Sequence, residues 1–340
     1  MDSDRRAAAA PAPPDVASPQ EAAASSPSYS LPGFPEFYEH LLSSLPPEYE
    51  PGLDISCVCL PLLKAALPSE AASAPDADAS QPTTVLDLCT GSGRVLLGLL
   101  KQLADHSVAQ VPHLRLVGVD SSEEMLAAAR AAAAAARIPP WCDISWHCAD
   151  AAGLPAPELA RLRLQGACRL IVCAAGSFHH LLSADAQLAC MRSIAAALAP
   201  AGPAYAVLNI FCPEHLQAVP DETAVLGPFR RTCVQQQAEQ ATDGGRVWRQ
   251  RFELERFVSG AAAAGNDAGQ HLWQRQEQWA LREVSPADLT RLAAAAGLQV
   301  VRQQALWVDG WGDGAAAQCA DSDARIFTLS LSTAAGCCSS

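Results

Sequence analysis

The chain has 340 residues, half of them hydrophobic, and a formal net charge of -13. That length and apolar content suffice for a sizeable core, while the charge sets the surface against phosphate backbones and excludes general binding of nucleic acid. The 13 cysteines are scattered and never stand at zinc-site spacing, so they read as free thiols of a reducing compartment, with no metal centre and a cytoplasmic location expected.

Residues 1–30 are rich in Ala, Pro and Ser and read as a disordered leader. Asp2 and Asp4 stand where a secretory signal needs basic residues, and Asp15 and Glu21 argue against a transit peptide. A short helical region over 36–67 and a flexible stretch over 68–82 follow. From Thr84 onward short apolar runs alternate with helical ones. Strands are predicted over 84–88, 114–120, 143–148, 170–174 and 204–211. The Ala-rich run 122–138 predicts a helix, with Glu123 and Glu124 in the first turn where the dipole favours them. A second helix over 184–198 carries an apolar stripe at Leu188, Met191, Ile194 and Leu198.

Residues 213–284 break the rhythm. Strand-like runs over 229–237, 246–258 and 271–284, a hairpin turn at Asp243-Gly244-Gly245 and a loose loop over 260–269 predict a small antiparallel insertion. Ser285 then caps a helix over 286–295, which Gly297 ends, and strands over 298–308 and 325–332 complete the chain. The uncharged run 194–212 is broken by Pro200, Gly202 and Pro203, so no membrane span is expected. The fold class is α/β: a doubly wound, mostly parallel seven-stranded sheet with helices on both faces. The organisation is a leader, 1–30, and one domain, 31–340, with the insertion at 213–284 as a substrate lid.

Three places carry chemistry. Val85-Leu86-Asp87-Leu88 runs into Cys89-Thr90-Gly91-Ser92-Gly93, and a helix begins at Arg94. Glycines at a strand-to-helix turn let a ligand approach the backbone, and the helix start offers free N–H groups. The next strand ends in Asp120, at the sheet edge where α/β folds bind ligands, and an ionised carboxylate there can hold both hydroxyls of a ribose. The third ends in Cys148-Ala149-Asp150, an Asp suited to an adenine amino group. Any one of these is an ordinary turn or cap; the ordered set is specific.

VLDLCTGSGR over 85–94, VGVDSSEEML over 117–126, the CAD of 148–150, LIVCAAGSFHHLL over 170–182 and LAPAGPAYAVLNIF over 198–211 together resemble successive motifs of class I S-adenosylmethionine-dependent methyltransferases. The likeness extends over about 34–332 and is nearest to small-molecule enzymes with an antiparallel insertion before the last helix. It implies S-adenosyl-L-methionine as cofactor. It also implies roles: Asp87 toward the methionine amino group, Gly91 and Gly93 against the cofactor, Asp120 on the ribose, Met125 on the adenine, and Asp150 with the Ala151 backbone at the adenine edge. Cys89, Arg94, Ser121 and Cys173 flank these positions and belong to the implied cofactor site, and Tyr38 is the aromatic that would fold over the sulfonium. Cys89 replaces the first glycine of the loop.

A nicotinamide-dependent reductase is the natural rival, but its phosphate loop needs a glycine where Leu96 stands, and no tyrosine has a lysine four residues on. Enzymes acting on glutamine or adenine amino groups carry Asn-Pro-Pro-aromatic where CAAGSF stands at 173–178. Methyl transfer to an N or O atom of a small-molecule acceptor is therefore expected, against the alternative of a non-catalytic adenosyl-binding scaffold. His179 is the expected base. His180, Trp248, Trp273 and Trp279 are expected at the acceptor, the tryptophans either as an apolar wall above the cofactor or as packing of the insertion on the body. Arg249, Arg251, Arg275 and Arg282 stand ready to bind an acid or form a solvated rim. The partner is a small molecule, with neither nucleic acid nor membrane, and the oligomeric state is open.

Overall fold

The computed structural model describes residues 29, 31–43, 54–67, 82–105, 113–211, 213, 216, 223–257, 271–305 and 324–332. Residues 1–28, the stretch 68–81 and the loop 260–269 lie outside the described residues.

Seven strands make the main sheet: β1 (Thr83–Leu88), β2 (Leu114–Asp120), β3 (Cys142–Cys148), β4 (Cys168–Cys173), β5 (Tyr205–Phe211), β10 (Leu298–Ala305) and β11 (Ala324–Leu331). Their order is β10-β11-β5-β4-β1-β2-β3. The run from β5 to β3 is parallel, and β11 is antiparallel to both β5 and β10. β1 lies near the middle and is buried along its whole length. Alternate residues feed two cores, as the two-residue repeat of a strand requires. Leu86, Leu88, Val117 and Ile171 pack on one side against α6 (Ala184–Ala197) and α7 (Pro286–Ala295). Val85, Leu116, Leu170 and Val172 pack on the other against α3 (Arg94–Asp105) and the apolar face of α2 (Leu60–Ala66).

Local chemistry explains the helix limits. Ser122 Oγ accepts from Met125 N–H and opens α4 (Glu123–Ala135). That helix ends three residues earlier than the Ala-rich run suggests, ahead of Pro139 and Pro140. Ser285 and Asp288 form a capping box at the start of α7, as the Ser-Pro-Ala-Asp sequence predicts. The helical region expected over 36–67 is α1 (Phe34–Ser43) and, beyond a gap in the described residues, a π-helical turn (Ile55–Cys59) leading into α2. A short helix, α5 (Ala156–Arg161), had no counterpart in the sequence reading.

The insertion is a four-stranded antiparallel sheet: β6 (Thr223–Leu226), β7 (Phe229–Gln240), β8 (Arg246–Phe257) and β9 (His271–Arg282). The register pairs Trp248 with Leu281, Gln250 with Trp279 and Arg256 with Trp273, so the aromatic residues of β8 and β9 do share one face. α1 seals that face: Phe37 is fully buried and meets Phe229 edge-on at 5.7 Å. Among the described residues no helix is long and apolar enough to cross a membrane.

Candidate cofactor and acceptor site

The loop after β1 is built on left-handed backbone: φ is 56° at Cys89, 56° at Gly91 and 85° at Gly93. Cys89 thus adopts the conformation usually left to glycine, at a cost of about 1–2 kcal/mol. A Cβ on Gly93 would stand 2.6 Å from the Trp146 ring, and one on Gly91 would press the Met125 methyl at 3.1 Å. Gly93 lets β3 pack closely, and Gly91 keeps the cavity open beside Met125.

Two carboxylates face this loop from the ends of β1 and β2. Asp120 accepts from Gly91 N–H at 2.9 Å and from Ser122 N–H at 2.8 Å, with Ser121 N–H as a further donor, which fixes its orientation. Burial raises its pKa, and these backbone donors work against that rise. Asp87 is 1 % exposed and accepts from the Thr90 hydroxyl at 2.7 Å. Burial lifts its carboxyl to about 7, opposed by the Thr90 bond and then by the Arg94 charge. A buried acid raised this far is short of a cation. Arg94 is committed elsewhere, to a bidentate pair with Asp54 at 2.8 and 3.0 Å. From α1, Glu39 reaches back to accept from Ser92 Oγ at 2.5 Å.

These groups wall one cavity. Asp87, Cys89, Gly91, Arg94, Asp120, Ser121 and Met125 line it, and Tyr38 with its stacked neighbour Phe34 closes the α1 side. Ala174, Ala175 and Ser177 of the loop after β4 form another wall, together with Tyr29, His180 and Trp279. Tyr29 was not expected here: its carbonyl accepts from Ser122 Oγ at 2.6 Å, its phenol bonds Ser121, and its ring meets His180 edge-on at 5.8 Å. An acidic floor under aromatic walls suits a ligand with an ammonium, a sulfonium and a ribose, so the residues present fit S-adenosyl-L-methionine.

Four expected cofactor residues stand off this cavity. Gly93 packs on Trp146. Cys173 is buried behind Cys89. Asp150 is exposed and accepts from Ala152 N–H at 2.8 Å, and Ala151 is buried in the core.

The loop after β4 turns through left-handed Ala175 and Gly176 into a single 3-10 turn (Ser177–His180). His179, expected as the base, is fully buried and away from both cavities. Its Nδ1–H donates to the Arg282 carbonyl at 2.6 Å, its Nε2 accepts from Phe211 N–H at 2.8 Å, and its ring stacks on Phe211. Both nitrogens are used in tying β5 to β9, so neither is offered to a substrate. His180 instead faces the cavity; burial lowers it to about 4, against a backbone bond with Ala280. Of the three expected tryptophans, Trp279 lines this cavity. Trp273 packs on Phe229, and Trp248 lies opposite Leu281, its indole nitrogen buried. The tryptophan face is therefore mostly packing.

A second cleft runs along β7, β8 and β9, lined by Gln235, Gln237, Arg249, Arg251 and Gln278. It shares Tyr29, His180 and Trp279 with the first cavity. The two spaces meet at those three rings.

The family model of the methyltransferase domain matches residues 85–202. No curated protein matches the chain. Among solved structures, an S-adenosylmethionine-dependent methyltransferase from Clostridium acetobutylicum superposes with a TM-score of 0.61 at 13% identity, covering 88% of this chain and 98% of its own. DesVI from Streptomyces venezuelae gives 0.52 at 16%, with 88% and 97% covered. CalS10, an amino pentose methyltransferase from Micromonospora echinaspora, gives 0.50 at 18%, with 89% and 98% covered. The ordered motifs, the sheet topology and the match agree: residues 85–202 are a methyltransferase domain, and the chain has the fold of S-adenosylmethionine-dependent methyltransferases.

Proposed function

We propose that the protein methylates an N or O atom of a small molecule seated in the cleft along the insertion. The observation that carries this reading is the junction at Tyr29, His180 and Trp279, where the cleft opens onto the cofactor cavity. When bound, the cofactor supplies an electrophilic methyl on a sulfonium, whose leaving group needs no activation. The chain's own work is placement. Asp120 holds the ribose hydroxyls and Asp87 the amino group; Phe34 and Tyr38 shield the cavity from water on the α1 side. Tyr29 and Trp279 frame the opening through which the acceptor atom reaches the methyl.

His180 is neutral at pH 7 and far too weak a base to deprotonate an ammonium or an alcohol. It serves as a hydrogen-bond partner and wall, so the acceptor atom enters already carrying a free lone pair. The cleft encloses about 270 Å³, a volume that favours a small solute over a polypeptide.

The test has two arms. Purified protein is given cofactor with a labelled methyl group together with a cell extract split into small-molecule and macromolecular fractions. Label should enter the small-molecule fraction; label in protein or nucleic acid overturns the reading. Calorimetry with S-adenosylhomocysteine should show Asp120→Ala binding at least about tenfold more weakly, from loss of two charge-assisted bonds. An unchanged affinity would remove Asp120 from the site.

A further inference from the structure

Arg94 opens α3, at the helix end where the dipole favours an anion, and no acidic residue stands in that first turn. A cation there opposes the dipole. Asp54 compensates it in part: Arg94 Nη1 and Nη2 donate to its two oxygens at 3.0 and 2.8 Å. Asp54 is itself held, since its Oδ1 accepts from Ile55 N–H at 2.9 Å at the start of the π-helical turn. The guanidinium is thus pinned along one edge. Of its N–H groups one on each terminal nitrogen is used, and among the described residues Arg94 makes no other hydrogen bond. The edge formed by Nε and a terminal nitrogen is left over, a fork that matches the two oxygens of a second carboxylate.

Arg94 lines the cofactor cavity. The other charged side chains of that lining are Asp87 and Asp120, both acidic, and His180 is neutral at pH 7 because burial lowers it to about 4. Among the described residues, Arg94 is therefore the cation that this wall offers. It stands close enough to Asp87 for its charge to favour the ionised carboxylate, against the larger effect of burial. An amino acid carries its ammonium and its carboxylate on one carbon. A ligand whose ammonium rests on Asp87 brings its carboxylate within a bond or two of that point, into reach of the free edge of Arg94.

We propose, on the reading that Asp87 takes the amino group of S-adenosyl-L-methionine, that Arg94 grips the cofactor's carboxylate by its free edge while Asp54 occupies the other. The amino-acid end of the cofactor is then held by opposite charges, Asp87 on the ammonium and Arg94 on the carboxylate. Arg94 is a specificity residue for the cofactor: it separates S-adenosylmethionine and its product from adenosyl sulfur compounds that lack the carboxylate.

The experiment is calorimetry on the whole chain with two probes, S-adenosylhomocysteine and its decarboxylated analogue, which keeps the amine and lacks the carboxylate. Wild type should bind S-adenosylhomocysteine about ten- to hundredfold more tightly than the analogue, the worth of a charge-assisted pair. Arg94→Gln should lose that factor on S-adenosylhomocysteine and bind the analogue at the wild-type affinity or better, so that the two converge. Arg94→Lys, which keeps the charge without the fork, should fall between; if Arg94→Gln does not fold, Arg94→Lys carries the same comparison. A wild type that binds the two probes alike overturns the proposal without recourse to any variant. So does a folded Arg94→Gln chain that keeps the wild-type preference or weakens both probes equally. Asp87→Asn should weaken both probes alike, since both keep the amine; unchanged affinity for both overturns the amino-group reading, separately from what Arg94→Gln shows. A wild type that binds neither probe overturns the cofactor reading of the cavity and this proposal with it.

Discussion

Asp87 shows how a single buried group couples the fold to its ligand. Its carboxyl is lifted to about 7 mainly by desolvation. In the protein without cofactor, its contribution to stability is therefore full below the ordinary value of 3.8 and is lost as pH rises through about 7. A cationic amino group beside it favours the ionised form, so binding expels a proton and affinity must rise with pH over the same window. Between pH 6 and pH 8, S-adenosylhomocysteine should bind about tenfold more tightly, and Asp87→Asn should flatten that dependence. Calorimetry in buffers of different ionisation enthalpy reads the released proton directly; a wild-type affinity independent of pH would place the amino group elsewhere. Asp87, Asp120 and Gly91 were legible because each is fixed by local chemistry: a carboxylate at a strand's end, a glycine in a tight turn. Tyr29 was not, since it touches α4 through a backbone carbonyl and lies in a Pro- and Ser-rich tract without pattern. The two histidines were located correctly beside β4, but their roles depend on distant backbone. Phe211 N–H and the Arg282 carbonyl come from 32 and 103 residues further along, which no spacing reveals.

At the scale of elements, the 3-10 turn after β4 is a clasp. His179 binds β9 at Arg282, His180 binds it two residues earlier at Ala280, and Asp243 of the β7–β8 hairpin accepts from Ala184 N–H at the start of α6. The insertion is thus held on the body by backbone groups at its edge strand, the usual liability of an open sheet edge turned into an attachment. His179→Ala should leave two buried backbone groups unpaired, at about 1–3 kcal/mol each. The expected result is a lower unfolding midpoint in denaturant and a higher KM for the acceptor, with the pH profile of kcat unchanged. A catalytic base would behave oppositely: unaltered stability, a rate loss of about 10²–10⁴ and a missing limb in the profile. The long strands and the capped helices were readable because branched apolar runs and Ser-Pro-Ala-Asp carry their structure locally. β6 escaped notice, being four residues long with three of them exposed, and α5 is a six-residue turn of helix that tertiary packing of Leu159 sustains.

The whole molecule depends on α1 as the piece between two sheets. It sends Phe34 and Tyr38 to the cofactor cavity and Glu39 to the glycine loop, while Phe37 packs into the insertion against Phe229. The sequence placed a helix here but could not show this double duty, because the seven-stranded order and the seat of the insertion are decided by contacts between distant segments. If α1 transmits order from one sheet to the other, damage to its insertion-facing side must be felt at the cofactor. Phe37 is the residue to change: it is fully buried, meets Phe229 and Phe34 edge-on, and is not part of the cavity wall. Phe37→Ala should cost about 3–5 kcal/mol of stability and also weaken S-adenosylhomocysteine several-fold, because a loosened α1 no longer presents Tyr38 and Glu39 in fixed positions. Hydrogen exchange distinguishes this coupling from simple loss of stability. Binding S-adenosylhomocysteine to the wild type should slow exchange along α1 and into β7 as well as in the loop over 89–93. Protection confined to that loop, with cofactor affinity intact in Phe37→Ala, would mean that the body and the insertion act as separate units and that the acceptor cleft is assembled without help from the cofactor.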